Sequence, residues 1–142
     1  MALKIIDYGT PEYLQMLRLR DDILRKPLGL TFDEEELKHE KDNMLIGAFD
    51  DDQMLGCCML VEENPTTVKL RQMAVPNDLQ GKGIGRALMN FAENIARDRG
   101  YKIVSMHARK NAIGFYEKMG YVVSSPEFIE VTIPHHIMEK KL

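Results

Sequence analysis

"LRQMAVPNDLQGKGIGRALMNFAENIARDRG", Leu70 to Gly100, decides the architecture. It opens as an apolar strand and crosses a glycine-rich loop at Gln80–Arg86, "QGKGIGR". It then continues with apolar residues at Ile84, Ala87, Leu88, Phe91, Ala92, Ile95 and Ala96. Those positions trace one face of an α-helix without a miss. Arg97 and Arg99 suit its last turn, and Gly100 ends it. Strand, loop and helix make an α/β unit.

Glycines ahead of a helix let the backbone turn tightly and approach a ligand, and the first N–H groups of the helix point at whatever lies there. Such an end favours anions, phosphate above all, and Lys82 and Arg86 add positive charge. A nucleotide P-loop requires Gly-Lys-Ser or Gly-Lys-Thr, which the chain lacks. A dinucleotide fingerprint requires G-x-G-x-x-G, whereas Gly81, Gly83 and Gly85 alternate with single residues. Taken alone, the loop is either an anion cradle of another kind or a plain connecting turn.

Working outward, Leu3 to Ile6 reads as a short strand. Thr10-Pro11-Glu12 offers an N-cap and a first-turn proline for a helix whose face runs through Tyr13, Met16, Leu17, Arg20 and Leu24, with Gly29 closing it. Thr31 and Glu34 have capping-box spacing, which predicts a second short helix. "MLIGAF", "MLGCCMLV" and "VKLRQMAV" form a three-strand meander joined by the polar turns "DDDQ" and "EENPTT". After the long helix come the strand "YKIVSMHA", the short helix "NAIGFYEKM" ended by Gly120, and the closing strands "YVVSS" and "HHIMEKK". The expectation is an α/β (α+β) fold, a mixed, mostly antiparallel sheet of six to seven strands flanked by about four helices.

The 142 residues suffice for a single domain spanning 1–142. No run approaches the ~18 apolar residues of a membrane span, and the N-terminus lacks signal-peptide features, so a cytoplasmic protein without membrane association is expected. A net charge of −3 gives no support to nucleic-acid binding. Cys57 and Cys58, adjacent in an apolar run, suit buried thiols better than a disulfide or a metal site, and no metal is expected.

Gln80-x-x-Gly83-x-Gly85, after "LRQMAV" and opening an amphipathic helix, resembles the Q/R-x-x-G-x-G/A motif of the GNAT N-acetyltransferases, and "NAIGFYEKMGY" resembles that family's second signature. The closing "FIEVTIPHHIMEKKL" is similar to the C-terminus of a small bacterial subgroup. The resemblance is close over residues 68 to 123. It implies acetyl-CoA as donor, with the amides of Gly81, Lys82, Gly83, Ile84, Gly85 and Arg86 on the pyrophosphate and Gln80 beside them. The strand edge at Met73, Ala74 and Val75 would pair with the pantetheine arm. It further implies a backbone N–H near Met73 or Ala74 for the thioester oxygen, and Tyr116, beside Phe115 in the coenzyme site, as proton donor to the sulfur. Many relatives carry asparagine where this chain has Arg109, and asparagine stands instead at Asn111, so either residue can make that coenzyme contact.

No general base stands in the motifs. Glu63, Glu130, His107, His135 and His136 are the candidates, with Glu130 and His135 ahead because the C-terminal segment should overhang the acceptor side. Arg71 reads as an ion-pair member at the core edge or as an acceptor contact, with the structural role ahead. The expected function is transfer of acetyl from acetyl-CoA to a primary amine, on a small molecule, a peptide or a protein lysine. The alternative is a non-catalytic acyl-CoA sensor of the same fold. A homodimer would cover the edges of a small open sheet.

Overall fold

The computed structural model describes residues 1–142. The chain forms β1 (Ala2–Ile6), α1 (Pro11–Arg20), α2 (Glu34–His39), β2 (Met44–Asp50), β3 (Gln53–Asn64), β4 (Thr67–Ala74), α3 (Ile84–Asp98), β5 (Ile103–Arg109), α4 (Ile113–Glu117), β6 (Val122–Val123), β7 (Phe128–Glu130) and β8 (Ile133–Lys141). The strands make one eight-stranded sheet in the order β1-β2-β3-β4-β5-β8-β6, with β7 also on β8. Every pairing is antiparallel except β4 with β5. No helix is long and apolar enough to cross a membrane.

Side-chain alternation divides the core between the two faces of this sheet. Leu88, Met89, Ala92 and Ala96 of α3 cover Ile46, Cys58, Leu60, Val68, Leu70, Val104 and Met106 on one face. On the other, Tyr13 and Met16 of α1 cover Leu45, Phe49, Cys57 and Met59. α3 is also tied to the far strands by polar contacts, since Glu93 accepts from the Tyr121 hydroxyl at 2.9 Å and from Lys140 at 2.8 Å.

Three local expectations need correction. The sheet gains an eighth strand, β7, whose turn into β8 uses Val131 and Thr132 at φ of 47° and 68°. Left-handed conformations at β-branched residues give no recognisable turn signal. α2 is capped by Asp33 rather than Thr31, its carboxylate accepting the Glu35 N–H at 2.9 Å. Finally, regular α-helix stops at Arg20, and the segment 21–25 widens into a π-turn before Lys26–Leu28 tightens to 3₁₀ and Gly29, at φ 69°, ends it.

Candidate functional site

The site begins with a failure of pairing. β4 and β5 are in register from Thr67 opposite Ile103 to Leu70 opposite Met106, and there the ladder stops. The cause lies on the other edge of β4. Its register with β3 moves from Met59–Arg71 to Cys57–Ala74, so three steps on β4 oppose two on β3. The extra residue is Gln72, with φ of 58°, and the Cys57 thiol donates to its carbonyl at 3.6 Å. A bulge bends the strand that carries it. Here it bends β4 away from β5, leaving the β5-facing edge at Arg71, Gln72, Met73 and Ala74 without a strand partner. The result is a slot through the sheet.

The glycine loop lies at the end of that edge. Gly81 and Gly83 adopt φ of 80° and 84°, which admits them without strain, and space around both is open. The first bond into α3 runs from the Ala87 N–H to the Gly83 carbonyl at 3.0 Å, so the N–H groups of the preceding turn remain available. Lys82 and Arg86 are exposed and form no ion pair. Gln80 has a different post: its carboxamide donates to the Val75 carbonyl at 3.1 Å and to Asn77 at 3.2 Å, bracing the loop against the strand. The Phe115 ring sits over the first turn of α3, where a Cβ on Gly85 would meet it at 3.3 Å.

That contact fixes α4, and with it Tyr116, next to the loop. Tyr116 is 7% exposed and packs edge-on to Phe115 and Tyr121. Burial, with a smaller push from the nearby Cys58 thiol, raises its pKa, so the phenol holds its proton. Its hydroxyl makes no hydrogen bond, yet it is not among the sealed unpartnered atoms, which are Arg20 Nε, Arg25 Nε and Ser105 Oγ. The hydroxyl is therefore an uncommitted donor that is not completely sealed. Arg109 ends β5, half-buried, and Asn111 follows it exposed, so both flank α4.

Across the slot, on the α1 face, sequence-distant polar residues converge. Met106 and Ala108 belong to the α3-side core, so His107 between them projects to the opposite face. Lys69 Nζ lies 3.2 Å from His107 Nε2, and His107 Nδ1 lies 2.9 Å from Glu130. Because an ammonium only donates, Nε2 accepts and the neutral ring carries its proton on Nδ1, donated to Glu130. His135, 4% exposed, donates from Nδ1 to the Ile133 carbonyl at 2.7 Å, and its Nε2 is 3.8 Å from Glu130. Burial raises the Glu130 pKa, but the hydrogen bond from His107 and the nearby Lys69 charge act against it, and the net shift is downward. Burial and Arg71 lower that of Lys69. Glu63 is exposed, and His136 turns to the Ser125 carbonyl at 3.1 Å, so neither joins this relay.

The same face carries a cleft of about 290 Å³ lined by Arg25, Glu36, His39, Glu40, Asn43, Met59, Val61, Arg71 and Gln72. Glu40 is its most committed residue. It accepts both Arg20 guanidinium nitrogens at 2.7 Å and the Tyr13 hydroxyl at 2.8 Å. Arg71, expected in an ion pair, forms none and faces this cleft instead. The cleft was not visible in the sequence, because its residues come from separate elements; of the relay, the sequence nominates Glu130, His107 and His135 as single residues and misses Lys69.

Comparison with known proteins identifies the assembly. Residues 31–142 match the family description "Acetyltransferase (GNAT) domain". The chain is 28% identical to the uncharacterized N-acetyltransferase YjcF of Bacillus subtilis over 86% of its own length and 87% of that protein. It is 34% identical to the uncharacterized protein YyaT of Bacillus subtilis over 54% of its own length. The chain matches about half the length of that relative, 51%. Among solved structures, a proposed N-acetyltransferase from Lactobacillus plantarum superposes with TM-score 0.86 at 26% identity, covering 100% of this chain and 99% of that one. A GNAT family acetyltransferase from Elizabethkingia anophelis with acetyl-CoA bound shares the fold at TM-score 0.75 and 19% identity, covering 99% of this chain and 97% of that one.

Proposed function

This chain belongs to the GNAT family of acetyltransferases, and on that footing we propose that residues 1–142 act as one domain that transfers acetyl from acetyl-CoA to a primary amine within a ternary complex. The observation that carries this reading is the unpaired edge of β4 beyond Leu70, ending at the glycine loop. A pantetheine arm carries amides that can complete that edge, as a peptide strand would. The residues fit the rest of the donor: open N–H groups at Gly81–Arg86 and the unpaired cations Lys82 and Arg86 suit a pyrophosphate. Arg109, at the end of β5, and Asn111, just before α4, would supply further phosphate or amide contacts.

The roles divide by face. On the relay side Glu130 takes a proton from the acceptor ammonium, because only a neutral amine attacks a thioester. The peptide around Met73 or Ala74 supplies an N–H to the carbonyl oxygen as negative charge grows there. A C–N bond forms, the C–S bond breaks, and Tyr116 gives its proton to the departing thiolate. Its raised pKa keeps the phenol protonated, so the proton is present at neutral pH. The compartment we propose is the cytoplasm, where adjacent thiols such as Cys57 and Cys58 stay reduced.

The test is calorimetric titration of acetyl-CoA into the protein and its Gly83→Trp variant, with thiol release measured against a panel of amines. Binding by the parent, loss of binding in the variant and amine-dependent thiol release are expected. A parent that fails to bind acetyl-CoA refutes the proposal, and one that binds it without releasing thiol is a sensor.

A further inference from the structure

We infer that the cleft beside α2 recognises an oxyanion, a carboxylate or a phosphate, on the amine to be acetylated, with Arg25 and Arg71 as the receiving side chains. This rests on the acetyltransferase reading above and names the class of its acceptor.

The inference follows from which charges in the cleft are already satisfied. Arg20 and Glu40 neutralise one another through two 2.7 Å bonds. That leaves Arg25 and Arg71 as cations, and no carboxylate lies within ion-pair distance of either. Arg25 makes a single long bond, 3.4 Å to the Thr31 carbonyl, and its Nε is sealed without a partner. The guanidinium is nonetheless held in place, with the Phe32 ring 4.4 Å away. Burial and the field of Arg20 lower the Arg25 pKa; Glu36 and Glu40 oppose this, Arg71 adds a smaller push, and the net shift is downward. A guanidinium fork with free donors matches a carboxylate or phosphate better than any other partner.

The acids of α2 do not cancel this. Glu35 pairs with Lys38 at 3.2 Å, and Glu34 lines a separate hollow with Tyr8 and Leu37. Only Glu36 faces the cleft unpaired, against two arginines. Met59 and Val61 supply apolar lining, and Gln72, the bulge residue beside the slot, lines the cleft with them. A volume of about 290 Å³ suits an acceptor of amino-acid size. An amine anchored by its anionic group on Arg25 and Arg71 would therefore extend toward the slot.

The experiment compares matched acceptors: amino acids with their carboxamides, and O-phosphoethanolamine with ethanolamine. Both binding, by calorimetry, and kcat/KM are measured. Losing charge-assisted bonds of this kind costs about tenfold to a hundredfold. The anionic member of at least one pair is expected to win by that factor, and the two pairs separate carboxylate from phosphate. In Arg71→Gln and Arg25→Gln the preference for the anionic member falls toward one. Arg71 is exposed, so its variant stands even if Arg25→Gln unfolds. Equal or better use of the neutral amines, or a preference that survives in Arg71→Gln, overturns the inference. Loss of acetyl-CoA binding in the parent instead overturns the acetyltransferase reading, and the calorimetric comparison of the acceptors still decides the anion site.

Discussion

Replacing Glu40 by leucine tests the floor of the cleft beside α2. Arg20 is 0% exposed and Glu40 6% exposed, so neither charge has water to fall back on. Without Glu40, the Arg20 guanidinium loses both of its 2.7 Å bonds inside the protein and the Tyr13 hydroxyl loses its acceptor. Breaking a buried pair from one side costs about 3–5 kcal/mol, because an uncompensated charge remains. For a chain of this size each kcal/mol moves Tm by roughly 3–4 °C, so Glu40→Leu should melt roughly 10–20 °C lower. Arg20→Met in the Glu40→Leu background should recover most of the loss, since replacing both partners by apolar groups is often close to neutral. Urea unfolding of the parent, both single variants and the double variant gives the coupling energy, expected to be at least ~2 kcal/mol. Single-variant losses below ~1 kcal/mol, or a double variant as unstable as the sum, would refute this account.

The same pair sets a pH dependence. Burial pushes the Glu40 pKa up, but Arg20 and the Tyr13 hydroxyl outweigh it and hold it below the usual carboxylate value. Its contribution to stability is therefore complete above the unfolded-state pKa of about 4.3 and is lost as pH falls through the lower folded value; Glu40→Gln should flatten that acid limb in a series of urea titrations. Tyr116→Phe should lower kcat by about 10²-fold or more with little change in Tm, because the hydroxyl bonds to nothing in the fold; equal kcat would remove Tyr116 as the acid. Glu130→Gln should reduce kcat/KM about tenfold at unchanged acetyl-CoA affinity, and an unaltered rate would exclude the relay. Replacing Val131-Thr132 by Asn-Gly should raise stability by about 1 kcal/mol, because both positions already have positive φ; a loss on urea unfolding would count against the turn as described.

What could be read from the chain depended on whether its cause was local. The run from Ile84 to Ala96 carries its period in every residue, and its helix begins at Ile84 as expected. Gly29 and Gly120 end their segments with φ of 69° and 94°. Signals failed where a choice among neighbours was settled by tertiary contacts. Thr31 and Asp33 both suit an N-cap, and Asp33 took it; Val131-Thr132 turns a hairpin with residues that disfavour the geometry. The bulge at Gln72 has no sequence mark, since a non-glycine at φ of 58° is imposed by the strands around it. The relay was half-visible. Glu130, His107 and His135 could be nominated by type, but their meeting with Lys69 depends on β7 folding back onto β8. Arg20 and Glu40 are too far apart in sequence for any periodic rule to join them.

The slot between β4 and β5 makes the sheet a partition with one opening. The glycine loop and α3 lie on one side of it, and the cleft against α2 on the other. Two ligands approaching from opposite faces do not compete for the same entrance, so either can bind first and saturation with one should leave the KM of the other nearly unchanged. A single molecule that joins both ligands by a tether through the opening gains from their mutual proximity, and binds more tightly than either alone. That gain depends on tether length. Conjugates of graded length would thus measure the thickness of the partition from within.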